Sequence, residues 1–241
     1  MFRGKKAVIF DMDGTLIDSV GLWNEIDQVL IEQLGQVRID LDLIQVQRDT
    51  KLREFAKDEN PYLAYTGYLA NRYGSDLTAE EVLQLRYEIS TTYLREKVDY
   101  KPGAELVLQR LKAAGFILAI ASTTRRKNLD VYRTTNRNVL AKAPIDEMFS
   151  LVLTREDAKE MKPHPEIYET AMRMLGVNAS ECLIFEDSLI GVEAAKAAGA
   201  LTVAMWDRYS EKERDQINGL ADYRFDNYAE VLDLLEKELQ D

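Results

Sequence analysis

Five short apolar runs, Ala7–Phe10, Ile117–Ala121, Leu151–Leu153, 183–185 and 201–204, alternate with amphipathic segments along this chain. That alternation is the pattern of a parallel sheet covered by helices. The helices between the runs have recognisable ends. Pro102 can open one, Leu106, Val107, Leu111 and Ala114 give it an apolar face, and Gly115 can close it. Gly176 and Gly199 are placed to end two more, and a last helix over 229–239 is expected to cover an edge.

The first run stands apart, because about a hundred residues separate it from the second, far more than one crossover helix requires. Residues 22–93 have apolar positions at spacings of three and four and almost no β-branched alternation, so they read as mostly helical. The expected fold class is therefore α/β: a doubly wound, Rossmann-like parallel sheet at 1–16 and 99–241, with a helical cap domain inserted at 17–98. Tyr62, Tyr65, Tyr68, Tyr87 and Tyr93 could line a pocket, but tyrosines at helical spacing more often pack the insertion's own core.

At 241 residues the chain has room for one domain carrying a smaller one. With 46% hydrophobic and 30% charged residues it has the composition of a folded globular protein. A net charge of −11 argues against broad nucleic-acid binding, whose affinity comes from clustered Lys and Arg. The N-terminal run Ala7-Val8-Ile9-Phe10 is cut by Asp11 and Asp13 far below signal-peptide or membrane-span length, so no membrane association and a cytoplasmic location are expected. Cys182, the only cysteine, lies in an apolar run and is read as a small buried hydrophobe. His164, the only histidine, lies between prolines and is read as a turn residue, which excludes His-rich metal sites and histidine triads.

In open α/β sheets ligands bind beyond the carboxyl ends of the strands. The residues that follow the runs are consistently polar. The first run leads into Asp11-Met12-Asp13-Gly14-Thr15, the second into Ser122-Thr123-Thr124 and the fourth into Glu186-Asp187-Ser188, while Lys162 follows the third. Carboxylates gathered at one sheet edge repel unless a cation lies between them, and hard oxygen donors without histidine or thiolate favour Mg²⁺. Taken singly, Thr15 and Ser188 read as a turn residue and a helix cap.

These residues resemble the motifs of the haloacid dehalogenase superfamily: a strand ending in Asp11-Met12-Asp13-Gly14-Thr15, then Ser122, then Lys162, then Glu186-Asp187, in that order. An insertion between the first and second motifs is similar to the family's helical cap class, and the set as a whole resembles the β-phosphoglucomutase and sugar-phosphate phosphatase branch. The resemblance implies an aspartyl-phosphate mechanism. Asp11 is the nucleophile and Asp13 the general acid and base. Ser122 bonds a phosphoryl oxygen, and Lys162 offsets charge and steadies Asp11. Mg²⁺ is implied on the Asp11 carboxylate, the Asp13 backbone carbonyl and Asp187, with Glu186 in or near the shell. Gly14, Thr123, Arg48 and Trp23 are the candidate substrate-binding residues, and a small phosphorylated metabolite is the implied partner.

The acid at position 13 favours P–O cleavage over dehalogenation or phosphonate hydrolysis, and Lys51 is accordingly read as a surface lysine. A β-phosphoglucomutase-like mutase is the nearest alternative; those mutases carry a histidine near the position Trp23 occupies here, which favours hydrolysis. A phospho-accepting signalling module shares an acidic pocket, a hydroxyl and a lysine, but has no use for a cap or a second acid. Arg48 is a candidate for an anionic or polyhydroxylated leaving group, although the glycine that often opens its loop is missing. The basic segment 125–142 is read as a solvated helix face.

Overall fold

A computed structural model describes residues 1–55 and 57–240. Ala56, inside the stretch read as helical, and Asp241 lie outside the described residues. The chain divides into two compact units, Met1–Val20 with Val98–Asp241, and Gly21–Lys97.

The first unit is built on six parallel strands, β1 (Ala7–Phe10), β2 (Ile117–Ala121), β3 (Leu151–Leu153), β4 (Cys182–Glu186), β5 (Leu201–Met205) and β6 (Tyr223–Phe225). Their order across the sheet is β3-β2-β1-β4-β5-β6. The fold is a Rossmann-like α/β fold with a helical insertion after β1. β4 extends one residue beyond each end of the expected run, and β5 one residue beyond its end. β6 is absent from the sequence reading because Tyr223-Arg224-Phe225 is a three-residue edge strand, Arg224 exposed between two half-buried rings, with no apolar run to mark it.

β1 is buried on both faces, as the continuous run Ala-Val-Ile-Phe requires of a central parallel strand. Phe10 pairs in register with Ile120 of β2 and Phe185 of β4, so the three central strands end level. Asp11, Ser122 and Asp187 therefore leave the sheet at one edge.

The inserted unit contains α1 (Leu22–Gly35), α2 (Leu41–Glu54), α3 (Pro61–Arg72) and α4 (Ala79–Glu96). Local signals set their starts. Asn60 caps α3 with Pro61 in its first turn, and Thr78 with Glu81 forms a reciprocal capping box on α4. Ile26, Leu30, Ile31, Ile44, Tyr65, Leu69 and Val82 are fully buried between these helices. Tyr65 thus packs the interior, whereas Tyr68 and Tyr93 present ring faces to the ammonium groups of Lys51 and Lys97. Lys51 also pairs with Glu54.

The remaining helices of the sheet unit are α5 (Ala104–Ala113), α6 (Arg126–Thr134), α7 (Arg137–Lys142), α8 (Ile145–Met148), α9 (Glu166–Leu175), α10 (Leu189–Ala197), α11 (Arg214–Leu220) and α12 (Tyr228–Gln240). The basic segment becomes α6 and α7. Arg126 pairs with Asp157, Arg133 with Asp146 and Lys142 with Asp99, the ion-paired form of the solvated face expected there. One face of the sheet joins Ala7, Ile9, Ala119, Cys182 and Ile184 to Ile167, Tyr168 and Ala171 of α9 and to Ala194 and Ala195 of α10. Cys182 is buried in this cluster, as its apolar neighbours implied. His164 is exposed in a turn, where its Nδ1 accepts the Glu166 N–H. Among the described residues no helix is long and apolar enough to cross a membrane.

Ile184 has no exposed surface in the strand that carries the acidic pair. Ile184→Ala is expected to cost about 2–5 kcal/mol, seen in thermal denaturation as a fall of roughly 5–15 °C. A shift under about 2 °C would contradict burial in a central strand.

Candidate active site

Beyond β1 the backbone folds sharply on itself. The Asp11 N–H remains in the ladder, donating to the Phe185 carbonyl, while the Leu16 and Ile17 N–H groups turn back to the Met12 carbonyl and the Gly14 N–H donates to Ile17. The turn passes through Gly14 at φ +87°, a region that side chains other than glycine rarely enter. A Cβ at Gly14 would stand 2.3 Å from Asp187 Oδ2, so this glycine serves the close approach of the first loop to the acidic pair.

Lys162 ties the strands together. Its Nζ donates to Asp11 Oδ1 at 2.6 Å, to Glu186 Oε1 at 2.6 Å and to the Ala121 carbonyl at 3.1 Å, with the side chain only 3% exposed. Carboxylate oxygens of Asp11, Glu186 and Asp187 lie within 4.8 Å of one another. All three residues are buried. Three clustered carboxyl groups thus share one ammonium, which bonds two of them, in a space with little water.

The titration behaviour follows from that imbalance. Burial raises the Asp11 carboxyl to about 7 against the opposing pull of Lys162, with Glu186 adding to the rise. Burial and then the charges of Glu186 and Asp11 push Asp187 well above the usual carboxylate range. Burial opposes charge on Lys162, but Asp11 and Glu186 outweigh it and hold the ammonium above the ordinary lysine range. A pocket of carboxylate oxygens with a deficit of positive charge fits a hard divalent cation, which would let all three ionise.

The two members of the acidic pair differ in their surroundings. Glu186 Oε1 accepts from Lys162 and from the Tyr168 hydroxyl, each at 2.6 Å, and Oε2 accepts from the Asp187 N–H and from the Ser188 N–H and hydroxyl. Burial, followed by the charge of Glu186, raises the Tyr168 hydroxyl far above its ordinary value, so it remains a donor. Ser188 caps α10 by accepting the Gly191 N–H, as its position suggested. Gly191 has its own steric reason, since a Cβ there would lie 2.0 Å from the Glu186 carboxyl. Asp187 Oδ1 accepts the buried Thr15 hydroxyl at 2.7 Å.

Asp13 lies off this cluster. Its Oδ1 accepts the Ser19 hydroxyl at 2.5 Å and its Oδ2 accepts from Thr124. Ser122 is buried and its Oγ accepts the Thr124 N–H at 3.1 Å; Thr123 beside it is half-buried. A cavity of about 270 Å³ opens beside Asp187 toward β5 and β6, lined by Trp206, Asp207, Arg214 and Arg224 among others, but not by Asp11, Asp13, Ser122 or Lys162.

Arg48 and Trp23 belong to the helical unit. Arg48 bonds Asp27 and Asn24, and Trp23 is half-buried with its ring 4.8 Å from the Arg86 guanidinium. Sequence reasoning missed Tyr168, Thr124, Ser19 and Gly191. Tyr168 leaves a faint trace, six residues after Lys162 on an amphipathic helix, whereas a hydroxyl in a loop leaves none.

Known proteins resemble this chain in sequence and in fold. The family model for haloacid dehalogenase-like hydrolases matches residues 5–199. The chain is 32% identical over 194 residues to the Bacillus subtilis protein named "Putative phosphatase YhcW", covering 80% of each. Hexitol phosphatase B of Escherichia coli is 24% identical over 225 residues, 93% of each chain. A Thermotoga maritima structure titled "putative beta-phosphoglucomutase" superposes with TM-score 0.77 at 24% identity, covering 96% of this chain and 99% of that one. This chain belongs to the haloacid dehalogenase-like hydrolase family.

An acid whose folded-state pKa is raised loses stability as pH climbs from its unfolded value through the folded one, here from near 4 to about 7 for Asp11. A cation bound to the ionised form relieves that loss. Saturating Mg²⁺ is therefore expected to raise Tm by roughly 5–10 °C at pH ~8 and by only about 2 °C or less at pH ~5.5. Equal shifts at both pH values in a melting experiment would contradict metal binding by these carboxylates.

Proposed function

We propose that this protein is a Mg²⁺-dependent phosphatase that hydrolyses a small phosphate monoester, a sugar phosphate or related metabolite, through a phosphorylated Asp11. The observation that carries this reading is the buried convergence of Asp11, Lys162, Glu186 and Asp187 from three separate stretches of chain.

In this reaction an Asp11 oxygen attacks phosphorus as the bond to the leaving oxygen breaks, giving an aspartyl phosphate. Asp13, held by Ser19 and Thr124, gives its proton to the leaving oxygen. A water molecule then attacks the phosphorus of the intermediate, Asp13 takes the proton from that water, and Asp11 is released with inorganic phosphate. Lys162 keeps the Asp11 carboxylate in one orientation and offsets charge on the phosphoryl oxygens. The Ser122 hydroxyl, whose oxygen already accepts the Thr124 N–H, directs its proton to a phosphoryl oxygen. Mg²⁺ would be held by the Asp11 carboxylate, the Asp13 carbonyl and Asp187, with Glu186 in or near the shell. When bound it supplies charge neutralisation of the transferring group. Gly14 and Thr123 are assigned to the phosphoryl side of the substrate, Arg48 and Trp23 to its leaving group. No nucleic acid or membrane has a place in this reading, and a cytoplasmic setting suits the acidic, single-cysteine composition.

Family members named as phosphatases and as β-phosphoglucomutases both resemble this chain. Trp23, in the region where those mutases carry histidine, favours hydrolysis over phosphoryl return to the substrate.

A panel of phosphate monoesters assayed with Mg²⁺ is expected to show phosphate release that chelation abolishes. Asp11→Asn and Asp13→Asn should each lower it by about a thousandfold or more. Asp11→Asn activity within about tenfold of wild type would refute the aspartyl-phosphate route. Isomerised sugar phosphate in place of free phosphate would identify a mutase.

A further inference from the structure

One buried acid of the sheet unit has no part in the reaction above. Asp207 follows β5 as Asp187 follows β4, and the two strands pair in register, Glu186 against Ala204. Both acids therefore stand at the same sheet edge, and both line the cavity of about 270 Å³. Asp207 is only 5% exposed. Its Oδ2 accepts from Lys101 Nζ at 2.8 Å, and its Oδ1 accepts the Tyr209 N–H at 2.9 Å. Lys101 also donates to the Trp206 carbonyl at 3.0 Å. The other acids of the cavity wall, Asp226 and Glu230, are exposed, and Asp226 pairs with Arg214.

Capping explains only one of the Asp207 oxygens. The Tyr209 N–H belongs to the short turn Arg208–Glu213, which an exposed aspartate would cap as well. Burying the carboxylate together with a lysine is unfavourable unless the pair serves something further. Across the cavity wall stands Asp187, itself 5% exposed. Its Oδ1 accepts the Thr15 hydroxyl, while among the described residues no donor bonds its Oδ2. After burial and the charges of Glu186 and Asp11, the charge of Asp207 adds to the rise of the Asp187 carboxyl. A further negative charge beside a crowded acidic cluster is what a cation, and not the bare fold, calls for.

Mg²⁺ gives up its waters reluctantly and keeps several when one or two carboxylates hold it. With its full octahedral water shell the ion fills roughly 180 Å³, at about 30 Å³ for each water. The cavity of about 270 Å³ has room for that shell beside Asp187. Waters on a dication are strong donors and need acceptors. Each Asp207 oxygen accepts one bond and retains a lone pair for a second.

We propose that Asp207 is a positioning residue for the divalent cation, accepting hydrogen bonds from waters that the ion retains on the cavity side of Asp187. Lys101 tempers that role by drawing on the same carboxylate. The inference rests on the phosphatase reading above only for the cation at Asp187, and adds to it a residue that holds the metal without touching it.

The test is the Kd for Mg²⁺ without substrate. It is taken from displacement of Mn²⁺, which occupies the same octahedral oxygen sites, followed by electron paramagnetic resonance. Asp207→Asn keeps the shape and an acceptor for the Tyr209 N–H, and is expected to raise Kd by about 10–100-fold. Lys101→Gln breaks the same ion pair but should lower Kd by about threefold or more, because it removes a positive charge near the site and frees Asp207. An ion pair serving only the fold would lower Tm in both variants and move Kd in one direction. Ser210→Phe puts a ring into the cavity without touching either charge and should raise Kd by about tenfold. Ser210 is half-buried and tolerates a larger side chain, so this variant serves if Asp207→Asn does not fold.

A Kd for Asp207→Asn within about threefold of wild type, shifts of the same sign in Asp207→Asn and Lys101→Gln, or an unchanged Kd in Ser210→Phe would each overturn the proposal. Wild type that binds no Mg²⁺ overturns it as well. By contrast, wild type that binds Mg²⁺ with these variant effects, yet releases phosphate from no ester, counts against the phosphatase reading alone and leaves Asp207 its role.

Discussion

The buried contact between Lys162 and two carboxylates, at 2.6 Å to Asp11 and 2.6 Å to Glu186, governs the rest of the sheet unit. An ammonium of this kind costs several kcal/mol to desolvate, and so does each carboxylate. With Asp187 added, the acids outnumber the base. The protein can afford such a cluster only where backbone and packing leave the groups no alternative. Gly14 and Gly191 admit carboxyl groups into spaces that a methyl would fill. Thr15, Tyr168 and Ser188 hold individual oxygens, and the start of α10 presents backbone donors to Glu186.

The sheet order explains why the cluster forms where it does. From β1 the chain proceeds to β2 and β3 on one side, and from β4 to β5 and β6 on the other, so β1 and β4 are neighbours whose following loops part in opposite directions. The crevice between those loops receives Asp11 from one strand and the acidic pair from the other. Lys162 reaches it from the segment before α9, and its bond to the Ala121 carbonyl anchors it to the end of β2. Four distant stretches of sequence are brought together by one topological fact.

Much of this was legible in the sequence because the strands are continuous apolar runs and the functional residues follow them directly. Five of six strands, the helical insertion and the polar ends of β1, β2 and β4 could all be read that way. β6 could not, since an edge strand of three residues, one exposed and two half-buried, is too short to carry a periodicity. Tyr168, Ser19 and Thr124 act through single hydroxyls whose direction depends on tertiary packing, and a hydroxyl in a loop or on a helix face looks the same whether or not it finds a carboxylate. Gly14 stands among the candidate substrate-binding residues on sequence grounds, and the position of a Cβ built on it adds a second constraint, the carboxyl of Asp187. In the helical unit, Arg48 could be flagged from sequence as a lone cation. The buried Asp27 and Arg86 that hold it are separated by most of the insertion and share no local signal.

Within the proposed reaction, Glu186 and Asp187 cannot do equal work although they are adjacent. Both Glu186 oxygens are engaged, one by an ammonium and a phenol hydroxyl, the other by backbone and Ser188 donors. Replacing any of these bonds with a metal contact would leave a buried donor unsatisfied, which costs about 1–3 kcal/mol for each group. Asp187 is held through Thr15, and its Oδ2 faces the Gly14 turn of the nucleophile loop. Geometry therefore gives Asp187 the stronger claim on a cation and gives Glu186 the task of holding Lys162 against Asp11. The two adjacent carboxylates diverge because Glu186 ends β4 and accepts the N–H groups that lead into α10, while Asp187, one residue further on, bonds the Thr15 hydroxyl of the loop after β1.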